Sequence, residues 1–371
     1  MADNQPFKNY YGAALVQDLA TKVLAVYPAF DSQTFIADVV PRLEPLELKA
    51  RVSTIAEGLR RYLPPEYPEA VGMLLRILGP ETPVEAGMFN AGWYLLPVAQ
   101  FVEGYGLDHF DCSLEAMYEI TKRHTAEFAV RPYIVKDADR VLARLRVWVH
   151  DPSPHVRRWV SEGTRPRLPW TKRLEIFIRN PAPTLALLEQ LKNDPVLYVR
   201  KSVANHLNDI AKDHPERLVE VAARWYAEGG EPTRWIVRHG LRTLVKQGNP
   251  AALALLGFDT KATMRATRFE VQPGTIRIGE ALRLAVALTN DGDDAQDVVI
   301  DLLVHFVKAT GKGSPKVFKW TTRRVPPGAT ITLEKTLPIR HVTTRQLYPG
   351  RHAVEVQVNG QVVAAAGFDL A

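Results

Sequence analysis

The sequence predicts an all-α solenoid of paired helices followed by a small all-β sandwich. Three observations predict it. Over the first 260 residues, apolar residues recur at three- and four-residue spacing. Within that region the pattern D-P-x-x-x-V-R-[RK]-x-V occurs twice. After Gly257 the chain changes to short, β-branched, often alternating runs. A length of 371 residues also exceeds one ordinary domain of roughly 100–200. We expect domains at 1–258 and 265–371, with a linker around Gly257–Thr267.

Helical periodicity is clearest in QDLATKVLAVY, TFIADVVPRL, EAVGMLLRIL and LEAMYEITKRH. Breaks are expected at Pro64-Pro65, Gly79-Pro80 and Arg131-Pro132, since proline disfavours helix continuation. Asp31-Ser32 and Asp111–Ser113 offer N-cap chemistry ahead of two periodic runs. Helices of about a dozen residues with short links suggest stacked pairs.

The repeat lies further on. DPSPHVRRWVSEG begins at Asp151 and DPVLYVRKSVANHLND at Asp194, 43 residues apart. A weaker third copy, EPTRWIVRHGLRTL, places Val237-Arg238 38 residues after Val199-Arg200. Helical repeats of this length mark HEAT-like arrays. In each copy an Asp/Glu-Pro opens a helix and a buried valine sets its rotation. The basic pairs Arg157-Arg158, Arg200-Lys201 and Arg238-His239 then fall at equivalent places. Stacked side by side, they predict a stripe of positive charge. The alternative is a structural ladder to carboxylates.

In the last 105 residues the strand candidates are RFEVQ, ALRLAVALTN, DVVIDLLVHFVK, KVFKW, ATITLEKTL and HAVEVQVNGQVVAAAGFDL. Turn clusters separate them, and Asn359-Gly360 is a strong two-residue hairpin signal. Six or more strands predict an immunoglobulin-like sandwich without its usual disulfide. Basic residues here (Lys312, Lys316, Lys319, Arg323, Arg324) permit a nucleic-acid partner.

Composition excludes several classes. The chain is 46% hydrophobic and 24% charged, which is that of a folded protein and not a disordered one. Its single cysteine, Cys112, excludes an internal disulfide framework and any multi-thiolate metal site, and fits a reducing compartment. No apolar run approaches the ~18 residues of a membrane span. MADNQPFKNYYG lacks the order of a secretory signal, so a cytoplasmic protein is expected. The net charge of +6 conceals an uneven distribution: residues 140–246 carry 20 Lys+Arg against 11 Asp+Glu, whereas 1–139 carry 12 against 19. A basic block of this kind suits a polyanion.

GLDHF (106–110), TAEFAVRPY (125–133), HVRRWVSEGTRPRLPW (155–170), LYVRKSVANHLNDIAKDHP (197–215) and RWIVRHGLRTLVKQG (234–248) carry a resemblance. They are similar to the AlkC-type DNA 3-methyladenine glycosylases, a bacterial branch of the HEAT-like alkylpurine glycosylases. The resemblance covers most of 1–258. The appended β-domain resembles the subgroup with a C-terminal immunoglobulin-like domain.

The resemblance implies hydrolysis of the N-glycosylic bond of cationic N3-alkylated bases, chiefly 3-methyladenine, in duplex DNA. It also implies a monofunctional enzyme acting without base flipping, since a solenoid leaves little room for an enclosing pocket. An N3-methylated adenine carries positive charge, and its departure develops oxocarbenium character at the sugar. A nearby carboxylate stabilises that charge and orients water, and an aromatic face holds a cation. The implied acids are Asp209, Glu162 and Glu127, with Asp209 as the principal charge-stabilising carboxylate; Ser202 and Asn205 share its helix face. Trp170 is the aromatic wall and Asn205 a substrate contact. Arg157, Arg158, Arg165, Arg167, Arg200, Lys201, Arg238 and Arg242 are phosphate candidates, Arg158→Ala being expected to weaken DNA binding.

Each of these residues has a simpler structural reading: Glu162 pairs with Arg158 at i,i+4, Glu127 with a neighbouring arginine, and Asp209 with Lys212. Trp159 and Trp235 read as core. No cofactor is required, and Asp108-His109 with His124 lacks metal-site spacing. The expected partner is double-stranded DNA containing alkylated bases, with no metal and no membrane. The expected form is a monomer, nucleoid-associated when bound. The second reading is a non-catalytic HEAT-repeat nucleic-acid-binding or scaffold protein. The presence of all three acids favours the enzyme.

Overall fold

A computed structural model describes residues 6–83, 92–259, 263–307, 313–342 and 346–371. Gly311, Lys312 and the centre of the linker lie outside them, as do the first five residues. Helices occupy the chain to residue 255 and strands follow from residue 264.

After a 3-10 turn at Phe7–Tyr10 come α1 (Ala13–Val26), α2 (Ser32–Leu43), α3 (Leu48–Tyr62) and α4 (Tyr67–Arg76). Next are α5 (Leu95–Tyr105), α6 (Phe110–Thr121), α7 (Val130–Lys136), α8 (Ala138–Trp148) and α9 (Pro154–Gly163). Then follow α10 (Glu175–Arg179), α11 (Ala182–Leu191), α12 (Leu197–Ile210), α13 (Pro215–Glu228) and α14 (Glu231–Gly240). Two short helices, α15 (Arg242–Lys246) and α16 (Pro250–Leu255), complete the series.

Local chemistry explains most helix ends. Asp31 caps α2 by accepting the Thr34 N–H at 3.0 Å. Leu63, just before Pro64-Pro65, closes α3 in extended backbone. Two expectations are corrected. Arg131-Pro132 is no break: Pro132 stands in the first turn of α7, where an N–H would have no intrahelical partner. Asp111 is no cap either. It lies inside the first turn of α6, favoured by the helix dipole, and pairs with Arg140 at 2.5 Å.

The three repeat helices are neighbours, with α12 packed against α9 on one side and α14 on the other. Val156, Val199 and Val237 are fully buried, so each valine sets the rotation of its helix. Asp151 and Asp194 each accept an N–H two residues on, Ser153 at 2.8 Å and Val196 at 2.9 Å, turning the chain into the helix.

The β-domain is two sheets. The first orders β1 (Met264–Gln272), β3 (Ala281–Asn290) and β6 (Thr330–Pro338). The second orders β2 (Thr275–Ile276), β8 (Gln361–Leu370), β7 (Gly350–Val358), β4 (Gln296–Val307) and β5 (Gly313–Val325). Pairing is antiparallel except between β2 and β8. Residues alternate in and out along β3, so Leu282, Leu284, Val286 and Leu288 face the core. Asn359 and Gly360 both have positive φ, as a two-residue hairpin requires.

Packing groups Met1–Asp213 with Trp225–Gly240, and His214–Arg224 with Leu241–Ala371. Segment 241–258, assigned to the helical domain on sequence, thus groups with the strands. Gly248 approaches Gly360 so closely that a Cβ on either would meet backbone within 2.6 Å. No helix among the described residues is long and apolar enough to cross a membrane.

Candidate active site

The helical region holds a half-open cavity of about 380 Å³. Phe7, Trp93, Phe128 and Trp170 give it aromatic walls; Gln100, Glu103, Glu127, Arg158, Glu162 and Arg165 give it polarity. The 3-10 turn closes one side, since Phe7 packs on Trp93 with ring centroids 4.7 Å apart.

The charged side chains come from two places. Helix α9 supplies Arg158 and Glu162 one turn apart, and the segment after it supplies Arg165. Glu127 arrives from the link before α7. Its Oε2 accepts the Thr125 hydroxyl at 2.8 Å and Arg158 Nη1 at 2.7 Å. Glu162 Oε1 accepts Arg165 Nη1 at 2.7 Å and lies 3.7 Å from Arg158 Nη2. Its Oε2 accepts the Ser202 hydroxyl of α12 at 2.5 Å. Burial alone would raise Glu162, but Arg158 and Arg165 hold it below the usual carboxylate range. Burial likewise opposes the charge of Arg158, and Glu127 with Glu162 override it and raise its pKa.

Asp209 lies behind this layer. It is 1% exposed; its Oδ2 accepts Arg165 Nε at 2.8 Å and its Oδ1 accepts Lys212 Nζ at 2.9 Å. Neither Asp209 nor the half-buried Asn205 lines the cavity. Asp209 thus reaches the site through Arg165. Three carboxylates face two buried guanidiniums, and Lys212, bound to Asp209 at the rim, brings the charges of the cluster into balance. Burial holds His206, beside this cluster, down to about 4, so it is neutral and its Nδ1–H donates to the Ser161 carbonyl at 2.9 Å.

Trp170 stands at the cavity with its indole 71% exposed and its backbone at φ 64°. A bulky residue rarely adopts left-handed backbone, because Cβ crowds the following carbonyl. Such strain persists only where the surrounding structure holds the backbone in place. Trp159 is core, as read from sequence, and Trp235 stacks on His239 with centroids 5.1 Å apart.

The basic stripe is largely internal. Arg157 Nε binds Asp194 Oδ2 at 2.6 Å, and its Nη1 donates to the carbonyls of Asp151 and Pro152. Arg200 repeats the pattern one helix on, donating to the carbonyls of Asp194 and Pro195 at 2.8 and 2.7 Å. Arg238 pairs with Glu231, and Arg167 with both oxygens of Asp213. These arginines form the carboxylate and carbonyl ladder that the sequence left open as the alternative. Arg158 and Arg165, by contrast, are buried and paired with acids at the cavity. Lys201 is exposed, and Arg242 is half-buried.

Two whole-chain comparisons bear on the site. The chain is 38% identical over 374 residues to the protein YhaZ of Bacillus subtilis (strain 168), covering 100% of both. It superposes on Pseudomonas fluorescens alkylpurine DNA glycosylase AlkC bound to DNA containing an abasic site analog. That match has a TM-score of 0.91 and 38% identity, over 99% of this chain and 100% of the other. The chain belongs to the AlkC family. Residues 265–371 also match the family model described as "Uncharacterised protein YhaZ, C-terminal Ig-like domain".

Three residues important to this AlkC-family site were missed by sequence reasoning. Arg131, 3% exposed, donates to the carbonyls of Gly163, Arg165 and Lys172 at 3.2, 2.8 and 2.7 Å. It thereby holds the segment that carries Arg165 and Trp170. Burial, then the nearby Arg165, lowers it to about 10, which leaves it charged at neutral pH. Its signal was a cation inside the apolar run AVRPYIV. Gln100 and Glu103 on α5 are the other two; LLPVAQFVEGY is apolar apart from them and its last two residues. Burial pushes Glu103 up, against the pull of Lys49 and Arg131.

Proposed function

We propose that this chain is a DNA glycosylase that hydrolyses the N-glycosylic bond of cationic alkylated bases, 3-methyladenine foremost. One observation carries the reading: an aromatic cavity lined by the carboxylates Glu127 and Glu162. Such a site favours a cation over its neutral counterpart, and favours still more a transition state whose charge moves onto the sugar. Arg158 and Arg165 orient Glu127 and Glu162 and keep Glu162 ionised. Those two carboxylates flank the oxocarbenium-like sugar and orient the attacking water. Asp209 acts through Arg165, by holding its guanidinium in place against Glu162. Trp170 presents its face to the cationic base, worth about 0.5–2 kcal/mol.

Double-stranded DNA is the partner, and the reaction is monofunctional, leaving an abasic site without prior base flipping. Lys201 is the phosphate contact we retain from the repeat helices, and residues 1–258 are the proposed catalytic domain. The test is release of methylated bases from dimethyl-sulfate-treated duplex DNA. Wild type releases 3-methyladenine; Glu162→Gln loses roughly 10²–10³ in rate, as for removal of one charge-stabilising group; Asp209→Asn loses less. No release above the spontaneous background by wild type, with salt-sensitive DNA binding intact, would select the non-catalytic binder.

A further inference from the structure

Two sets of polar residues stand out in the cavity. Glu127, Arg158, Glu162 and Arg165 are committed to one another and to Asp209, Thr125 and Ser202. Gln100 and Glu103 are different. Both line the cavity from α5, one turn apart on the face that also bears Leu96. Among the described residues neither side chain takes part in a hydrogen bond. A carboxamide and a carboxyl with open hydrogen-bonding capacity, set among aromatic and aliphatic walls, match the usual composition of a small-molecule site. Such sites are mostly apolar, with a few polar groups that fix orientation.

We propose that Gln100 and Glu103 form a binding site for the free base, selective for 6-aminopurines over 6-oxopurines. The inference rests on the glycosylase reading, because excision supplies the ligand. An adenine-type base presents an amino donor beside the N7 acceptor, and a carboxamide answers both at once. Gln100 supplies that pair. The Glu103 carboxylate accepts the second amino hydrogen. A 6-oxo base would set its carbonyl oxygen against the Glu103 oxygens, leaving two acceptors facing each other. The aromatic walls stack on the ring and tolerate its methyl group. The base enters after the glycosylic bond has broken, so the nucleotide need not leave the stack for the site to fill.

The experiment is titration of the full-length protein at pH 8 with free 3-methyladenine, adenine, hypoxanthine and guanine. Quenching of tryptophan fluorescence reports binding, since Trp93 and Trp170 line the cavity. The expected result is saturable binding of 3-methyladenine and adenine, with both 6-oxopurines at least tenfold weaker. Glu103→Leu should weaken 3-methyladenine at least tenfold. Glu103→Gln should instead narrow the amino-over-oxo preference, because its amide can turn to donate. Absence of saturable binding by wild type, or equal affinity for amino and oxo bases, overturns the proposal without recourse to any variant. Unchanged affinity in Glu103→Leu does the same. Excision assayed on the same preparations separates the two readings. Excision without free-base binding removes this site alone, whereas selective binding without excision removes the glycosylase reading and keeps the site.

Discussion

Arg157 and Arg158 are adjacent in the chain and enter opposite environments. Arg157 faces the seam between repeats, where it bridges Asp194 and two carbonyls at the start of its own helix. Arg158 faces the cavity, where it lies between Glu127 and Glu162 with Tyr198 beneath it, 5.1 Å from the ring centroid. The first bond pattern recurs at Arg200, so it belongs to the repeat. The second does not recur: Lys201, the equivalent of Arg158, is exposed. The same residue type therefore builds the scaffold at one register position and the site at the next. A rotation of about 100° per helical residue is enough to separate the two roles.

This contrast can be broken by substitution. The largest effect is expected at Arg158. Arg158→Met leaves Glu127 buried without its cation and should cost about 3–5 kcal/mol in stability. Excision should fall with it. Chemical denaturation and the base-release assay measure the two, and a small loss of stability would mean the acids are not held by Arg158.

Acid should expose the same cluster. His206 is neutral in the fold, with its pKa lowered from 6.5 to about 4 by burial. The unfolded chain takes up that proton near pH 6.5, so the stability present above 6.5 drains away as pH falls toward 4. The loss is about 3 kcal/mol. Glu162, also lowered, adds to the loss in the same direction at still lower pH. Denaturation midpoints across this range should slope in wild type and flatten in His206→Asn. An unchanged slope would place the acid sensitivity elsewhere.

Arg157→Met should cost less, about 1–3 kcal/mol for the lost charged hydrogen bonds. It should leave the salt dependence of DNA binding as it was, since the guanidinium is occupied within the fold. A lowered salt slope would return Arg157 to the phosphate set. Trp170→Gly separates strain from function. Glycine adopts the left-handed backbone freely, so the melting temperature should hold or rise, while excision should fall about 3- to 30-fold through the lost cation contact, worth ~0.5–2 kcal/mol. The smallest effect is at Lys201. Lys201→Ala should leave stability unchanged and reduce the salt slope of DNA binding by about one contact.

Much of the fold was legible. The helix-to-strand change near Gly257, the three valines and the Asn359-Gly360 hairpin depend on local periodicity and turn chemistry, which a sequence displays directly. The errors have physical causes. Pro132 was read as a break because proline usually ends helices, yet the first turn tolerates it. The arginines were read as phosphate contacts because charge spacing along a chain does not say what lies opposite. Glu127, Glu162 and Trp170 were found through the resemblance, and the structure places all three at the cavity. Asp209, found the same way, lies behind Arg165.

By itself the sequence determined the order of architectures, the repeat register and a basic block that holds two of the three acids. These follow from spacing along one chain. Only the tertiary structure decided which acids share a cavity, and that most of the repeat arginines are internal ties. It also brought Arg131 onto the carbonyls of a segment more than 30 residues away. Those outcomes depend on which side chain meets which across neighbouring helices, and on the burial that makes a charge seek a partner. Neither quantity is written in local periodicity.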